Sequence, residues 1–243
     1  QDVAIRLQGS ATAVCTRCRF AGLRREVALI LGSSSLLLRN CSLAGIPGGG
    51  PGSVLLSAQQ SSVLTLVNCR VSGIAAFAFL FAGGGAAVTV RSSTFVVDAA
   101  MPFEMVTTAD DADVLFSHCS VTSGSSGALS PLTMPFAGCF GRSALAFEFV
   151  RFESLSVRGL IGAHDASSLS LRACDFVGNA VFNKELFFVL DAASAALSRV
   201  AFTGNAVSSS TQLSMVYVKT TGSVSVADSL FADNAGFSAA GLD

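Results

Sequence analysis

One spacing recurs nine times in this chain and restricts its fold more than any other feature: apolar, x, apolar, x, x, Cys or small, x, apolar. Leu36, Leu38, Cys41 and Leu43 carry one clear copy, and Leu64, Leu66, Cys69 and Val71 the next. Val114, Phe116, Cys119 and Val121 form a third, and Leu169, Leu171, Cys174 and Phe176 a fourth. Looser copies begin at Ala13, Val88, Phe147, Ala195 and Val224, so that successive copies start 22 to 33 residues apart. In the Phe147 copy the pattern is read as Phe147, Phe149 and Phe152.

Alternation of apolar and polar positions is strand periodicity, and the doubled gap before the Cys position implies a bend between two short strands. A second apolar run lies between most copies, at 27–31, 54–56, 77–81, 103–106, 187–190 and 215–218. Two or three short strands per repeat suit a coil of a parallel β-helix. A leucine-rich repeat would need a helix and a regular closing Asn, and ankyrin or tetratricopeptide repeats need helical periodicity. The expected fold is therefore all-β, a single right-handed parallel β-helix of about nine coils over residues 1–243. At the spacing of neighbouring strands such a stack is about 43 Å long. Phe20, Leu43, Val71, Phe95, Val121, Phe176, Phe202 and Phe231 should form one internal ladder. Cys18, Cys41, Cys69, Ser93, Cys119, Cys174 and Ser229 should form another. Asn179, Asn205 and Asn234 share one turn position, where stacked amides can satisfy each other and the turn backbone.

The run from Leu169 to Asn179 resembles the repeats of pectin-lyase-like right-handed β-helix proteins. Its Phe-x-x-Asn element, repeated at Phe202/Asn205 and Phe231/Asn234, is similar to that of chlamydial polymorphic outer membrane proteins, whose Gly-Gly-Ala-Ile element is absent here. The Ala/Ser/Val-rich, Cys-dotted style looks more like large surface β-helix proteins of protists, such as the trypanosomatid dispersed gene family. That resemblance implies an extracellular or cell-surface module with a structural or adhesive role and a protein or glycan partner. Gln1 is not an initiator Met, and the expectation is a piece of a longer repeat protein.

Composition narrows the function classes. Only 13% of residues are charged, about half the usual share, so part of the surface should face neighbouring coils. The net charge of −1 lacks the basic surplus that phosphate binding needs, which argues against nucleic acid. Charge is uneven: residues 1–40 carry six Arg against Asp2 and Glu26, while residues 185–243 carry Arg199 and Lys219 against five acids. Such a gradient permits head-to-tail attraction along a stack. The uncharged stretch 71–90 has the length of a membrane span, but Gly83-Gly84-Gly85 and the repeat phase assign it to strands.

The candidate sites are sparse. The seven cysteines allow buried thiols, one or two disulfides between adjacent rungs (Cys18/Cys41, Cys41/Cys69), or a metal. Cys15-x-x-Cys18 has half the spacing of a zinc site, without a second pair. Cys139 lies off the ladder and is the candidate reactive or paired thiol. Asp110, Asp111 and Asp113 form the only dense acidic cluster, at a tight turn with Arg142 near the matching turn one coil on. A solvated ion pair, a calcium site or a catalytic carboxylate are the readings open there. His164, beside Asp165, occupies the equivalent turn one coil further, and His118 should point outward. Hydrolysis would need two facing carboxylates, and the Gly-His-Gly motif of polygalacturonases does not occur. Gly48–Gly50 and Gly83–Gly85 lack the Lys-Ser/Thr of a phosphate loop. Arg39, Arg91 and Arg172 share a repeat position on coils that are not neighbours. No cofactor is expected.

The variable stretches 44–53, 97–102, 122–135, 178–185 and 204–212 all leave their coils at one point, and insertions at one repeat position line one side of a solenoid. Thr122, Ser125, Ser126 and Pro131 in the longest stretch are the leading binding candidates, with Asp110, Asp111, Asp113 and His164 on another corner. The expected function is a non-enzymatic structural or adhesive rod. A polysaccharide lyase or hydrolase, and a filament or assembly subunit, are the alternatives.

Overall fold

A computed structural model describes residues 3–23, 26–46, 54–74, 78–97, 105–124, 136–157, 159–182, 186–207 and 213–238. Every regular element among them is a strand. Three sheets of nine strands each run the length of the molecule, and all their pairings are parallel. Each coil contributes one strand to each sheet in turn. The chain is a parallel β-solenoid.

The expected nine coils reduce to about seven closed turns. Each sheet has nine strands, but those of the first and last coils pair on one side only. Their inward residues are accordingly half-open: Ile5, Cys15 and Phe20 are partly buried, and Phe231 is 44% exposed. The solvent-free core belongs to the coils between them, where Leu38, Leu66, Val90, Phe147, Leu171 and Phe202 are almost wholly buried. The stretch 71–90 is divided among three strands, Arg70–Ile74, Ala78–Gly83 and Ala87–Arg91. Among the described residues no helix is long and apolar enough to cross a membrane.

The repeated motif maps onto the bend between the second and third sheets. In coil 2, Leu36 and Leu38 point inward from Ser35–Arg39, and Leu43 points inward from Ser42–Ile46. Between them Asn40 takes a left-handed conformation, φ 54°, which turns the chain and returns Cys41 to the interior. The equivalent residues Arg17, Asn68, Ser92, His118, Phe149, Ala173, Arg199 and Asp228 all have φ between 49° and 57°. This conformation disfavours side chains. Hydrogen bonds offset the cost: the N–H of Asn40 donates to Val67 O at 2.9 Å, that of Asn68 to Arg91 O at 3.0 Å, and so on along the stack. The Cys position closes the bend from inside. Cys41 Sγ donates to Arg39 O at 3.4 Å and Cys119 Sγ to Ser117 O at 3.3 Å, while Ser93 Oγ donates to Arg91 O at 2.9 Å. Thiol and hydroxyl make the same bond at this position, which Val150 and Val200 fill without one.

One repeat differs in phase from the expected spacing. In the sixth coil the inward residues are Leu145, Phe147, Val150 and Phe152, two positions earlier than the spacing of the three phenylalanines suggests. Phe149 is the bend residue and is 46% exposed. With that correction the aromatic ladder gains Phe152, stacked on Phe176 at 4.6 Å; the column continues through Phe202 to Phe231 at 4.9 and 4.8 Å.

The third corner is closed differently along the stack. In coils 6 to 8 the third-sheet strand shortens to three residues and a further three-stranded sheet follows, made of Ser156–Val157, Ala180–Val181 and Ala206–Val207. The expected Asn ladder sits at this corner. Asn179 Nδ2 donates to Asn205 Oδ1 at 2.9 Å and Asn205 Nδ2 to Asn234 Oδ1 at 2.9 Å. Each amide also donates to the backbone of an earlier coil, Asn179 to Phe152 O and Asn205 to Phe176 O. Buried amides thus have partners on both sides.

Candidate functional site

The sequence candidates occupy separate parts of the rod. Asp110, Asp111 and Asp113 lie at the corner between the first and second sheets, and His164 lies at the same corner two coils on. Thr122 lies in the strand Ser120–Ser123 of the third sheet, half-buried, with Val96 and Glu153 as its lateral neighbours. Ser125, Ser126 and Pro131 fall outside the described residues, as do most of the variable stretches. The strand ends that flank those stretches are in register along the third and first sheets. The points of departure and return of 44–53, 97–102 and 122–135 therefore follow one edge, whereas 178–185 and 204–212 first continue into the paired strands Ala180–Val181 and Ala206–Val207 and leave one short strand later.

At the acidic turn Asp111 is paired with Arg142. Arg142 Nε and Nη2 donate to Asp111 Oδ1 at 2.8 Å and Oδ2 at 3.0 Å. This two-pronged bond holds the Asp111 carboxyl below the usual carboxylate range and raises the guanidinium. Both side chains are exposed, so the pair orients the turn more than it stabilises it. Asp110 is a left-handed turn residue whose carbonyl accepts from Arg142 N at 2.8 Å. Asp113 opens the strand Asp113–Ser117 with Ala87 and Ala144 beside it. The three carboxylates thus have different surroundings, and among the described residues no cluster of three or more His, Cys, Asp or Glu is arranged to hold a metal.

His164 is half-buried in an aromatic row. Its ring stacks on Phe140 at 4.7 Å and meets the edge of Phe188 at 5.2 Å. Asp165 beside it accepts at Oδ2 from Gly141 N at 2.9 Å. The backbone beneath explains the row. Gly162 faces outward under Phe188, whose ring lies where a Cβ would be, so only glycine lets the ring settle on the sheet. Nothing in the repeat spacing signals this aromatic row. His118 is exposed at its bend and stacks on Phe149 at 4.9 Å.

All seven cysteines are thiols without disulfides. Cys41, Cys69, Cys119 and Cys174 are buried, Cys15 and Cys18 half-buried. Cys139 lies off the bend column, as expected, but its burial does not suit the expected reactive thiol. It is fully buried on the first-sheet strand Ala137–Cys139, with Sγ donating to Gly162 O at 3.5 Å. Burial pushes the Cys69, Cys119 and Cys174 thiols up, the last to about 11, which suppresses the nucleophilic thiolate.

The outer face of the second sheet holds a shallow concavity of about 390 Å³ over the last four coils. Its outward floor is made of small residues such as Ala144, Ser168, Ser194 and Ser223, and none of its lining residues is ionisable. It does not supply the paired carboxylates that hydrolysis requires. No family model, no curated protein and no solved structure matches the chain.

Proposed function

We propose that the chain is a non-enzymatic rod that displays its variable stretches along one side for a protein or glycan partner at a cell surface. The observation that carries this reading is the alignment of the strand ends flanking the stretches 44–53, 97–102 and 122–135. A continuous three-sheet scaffold fixes these anchor points, and segments on a rigid scaffold are the usual carriers of recognition. The resemblance of the coil motif to protist surface β-helix proteins supports the location. The winding is taken as right-handed, the sense that nearly all parallel strand crossovers adopt.

The test is removal of residues 125–131, followed by binding to a glycan array and to intact cells. The expected result is an unchanged far-ultraviolet circular dichroism spectrum with weaker binding. Undiminished binding, together with loss on replacing Asp110 or His164 at the opposite corner, would overturn the reading. Release of reducing or unsaturated sugar ends from a polysaccharide would favour an enzyme instead.

A further inference from the structure

The corner between the second and third sheets carries a run of uncompensated positive charge in its first four coils. Residues 1–97 hold eight arginines, no lysine and two carboxylates, Asp2 and Glu26. Four of these arginines flank the bend, one in each coil and on alternate sides of it. In the column one residue before the bend, Thr16, Arg39, Val67 and Arg91 are register partners. In the column two residues after it, the partners are Arg19, Ser42, Arg70 and Thr94. Each coil thus offers one guanidinium and one uncharged neighbour, and Arg17 adds a charge at the first bend. All five arginines are exposed. They lie on the flank of the rod, which the stacking of coils does not cover.

The same columns are neutralised further along. In coils 6 and 7 Arg151 pairs with Glu153 at 3.0 Å and Arg172 with Glu148 at 3.8 Å. In coils 1 to 4 no described outward position of the second or third sheet is acidic. None of the five arginines is in an ion pair among the described residues. Strand spacing places successive arginines of one column about 10 Å apart, with an arginine of the other column at the level between them. Such a row repels itself, and an anionic partner laid along it removes that repulsion. Hydrogen-bonding groups run between the two columns. Asn40 and Asn68 are exposed at the bend, and Asn68 Nδ2 donates to Asn40 Oδ1 at 2.7 Å. Asn40 Nδ2 is left as a donor and Asn68 Oδ1 as an acceptor for hydroxyl groups.

We infer that this ridge binds an anionic polysaccharide laid along the rod axis, its carboxylate or sulfate groups on Arg19, Arg39, Arg70 and Arg91 and its hydroxyls on Asn40 and Asn68. Guanidinium forks suit both kinds of acid group. A nucleic acid fits less well, because in coils 1 to 4 these columns hold no aromatic side chain on which bases could stack. The inference goes beyond the display reading, because the ridge is built by strands and bends and not by the variable stretches.

The experiment is a calorimetric titration of the chain with heparin, polygalacturonate, neutral dextran and a single-stranded oligonucleotide, each at low and at physiological salt. Heparin or polygalacturonate should bind and dextran should not, and the affinity should fall steeply with salt. Binding of heparin alone assigns the acid group as sulfate, and binding of polygalacturonate alone assigns it as carboxylate. Arg39→Ser combined with Arg91→Ser should weaken binding about tenfold or more, as should Arg19→Ser combined with Arg70→Ser. Serine already stands in both columns, at Ser117 and Ser198 and at Ser42 and Ser120, and circular dichroism checks each fold. Arg172→Ser, in the same column but ion-paired, should leave binding nearly unchanged. Removing residues 125–131 should also leave it unchanged, which separates this inference from the display reading. The inference is overturned if neither polyanion binds, if dextran binds as well as they do, or if the oligonucleotide binds as tightly. A natively folded double variant that binds no more weakly than Arg172→Ser overturns it equally.

Discussion

Coils 2 to 5 and coils 6 to 9 solve the same packing problem with different chemistry. In the earlier coils the third-sheet strand is four or five residues long, and the inward ladder mixes Leu43, Val71, Phe95 and Val121. In the later coils that strand has three residues, and the ladder is a column of four stacked phenylalanines. A flat stacked ring spans one strand spacing efficiently, as ring separations of 4.6 to 4.9 Å show. Beside it, buried Asn amides take over backbone groups that a longer strand would have paired laterally. The comparison shows that a solenoid corner can be held by strand length or by an amide ladder.

The largest effect that would sharpen this contrast is Phe202→Ala. Removing a ring from the middle of the column should cost about 3–5 kcal/mol in equilibrium denaturation. Val71→Ala, at the same ladder position in coil 3, should cost about 2 kcal/mol. Equal losses would mean that the later coils gain nothing from stacking. Asn205→Ala should come next, at about 3 kcal/mol, because it strands the N–H of Asn179 and the carbonyl of Phe176 in a buried corner. A loss below ~1 kcal/mol would show that the ladder is dispensable.

The thiol column gives a pH signature. Burial raises the Cys174 pKa from 9.0 to about 11, so its protonated form is favoured by folding. That contribution is complete below pH 9 and is lost as pH rises toward 11, roughly 3 kcal/mol in total. Cys174→Val, the residue found at the same position as Val150 and Val200, should flatten this part of the alkaline decline. A variant with an undiminished slope would place the loss elsewhere. The smallest effect belongs to the first corner, where Ser34 and Ser62 bury hydroxyls that have no partner while Ala86 and Ala112 fill the same column. Ser62→Ala should leave stability unchanged or raise it by up to about 1 kcal/mol. A clear loss would reveal a bond that this account omits.

The bend between the second and third sheets was legible because it combines two periodicities, alternation and a doubled gap, at residues that repeat in kind. It misled once, where Phe147, Phe149 and Phe152 imitate the spacing while Leu145 and Val150 carry it. The first sheet was harder to read. Ala137–Cys139 and Ile161–Ala163 are three residues long, with glycine at the outward position, so neither alternation nor side-chain bulk marks them. Cys139 lies on one of these strands, and no pattern there announces its burial. The two-residue strands at Ser156, Ala180 and Ala206 are too short for any periodicity. Of the candidate sites, the Asp111–Arg142 pair followed from coil phase. The row of Phe140, His164 and Phe188 joins residues about one coil apart that share no motif, and it depends on a glycine beneath.

Amide hydrogen exchange, resolved along the chain by mass spectrometry or nuclear magnetic resonance, tests the stacked architecture most directly. A three-sheet solenoid whose inner coils are paired on both sides should show its slowest exchange in the strands of coils 2 to 8, falling at coil 1 and coil 9. Protection should recur at every coil, in strands such as Leu36–Leu38, Val114–Phe116 and Leu169–Leu171. Slow exchange confined to one half of the chain, or absent from alternate coils, would contradict a continuous stack.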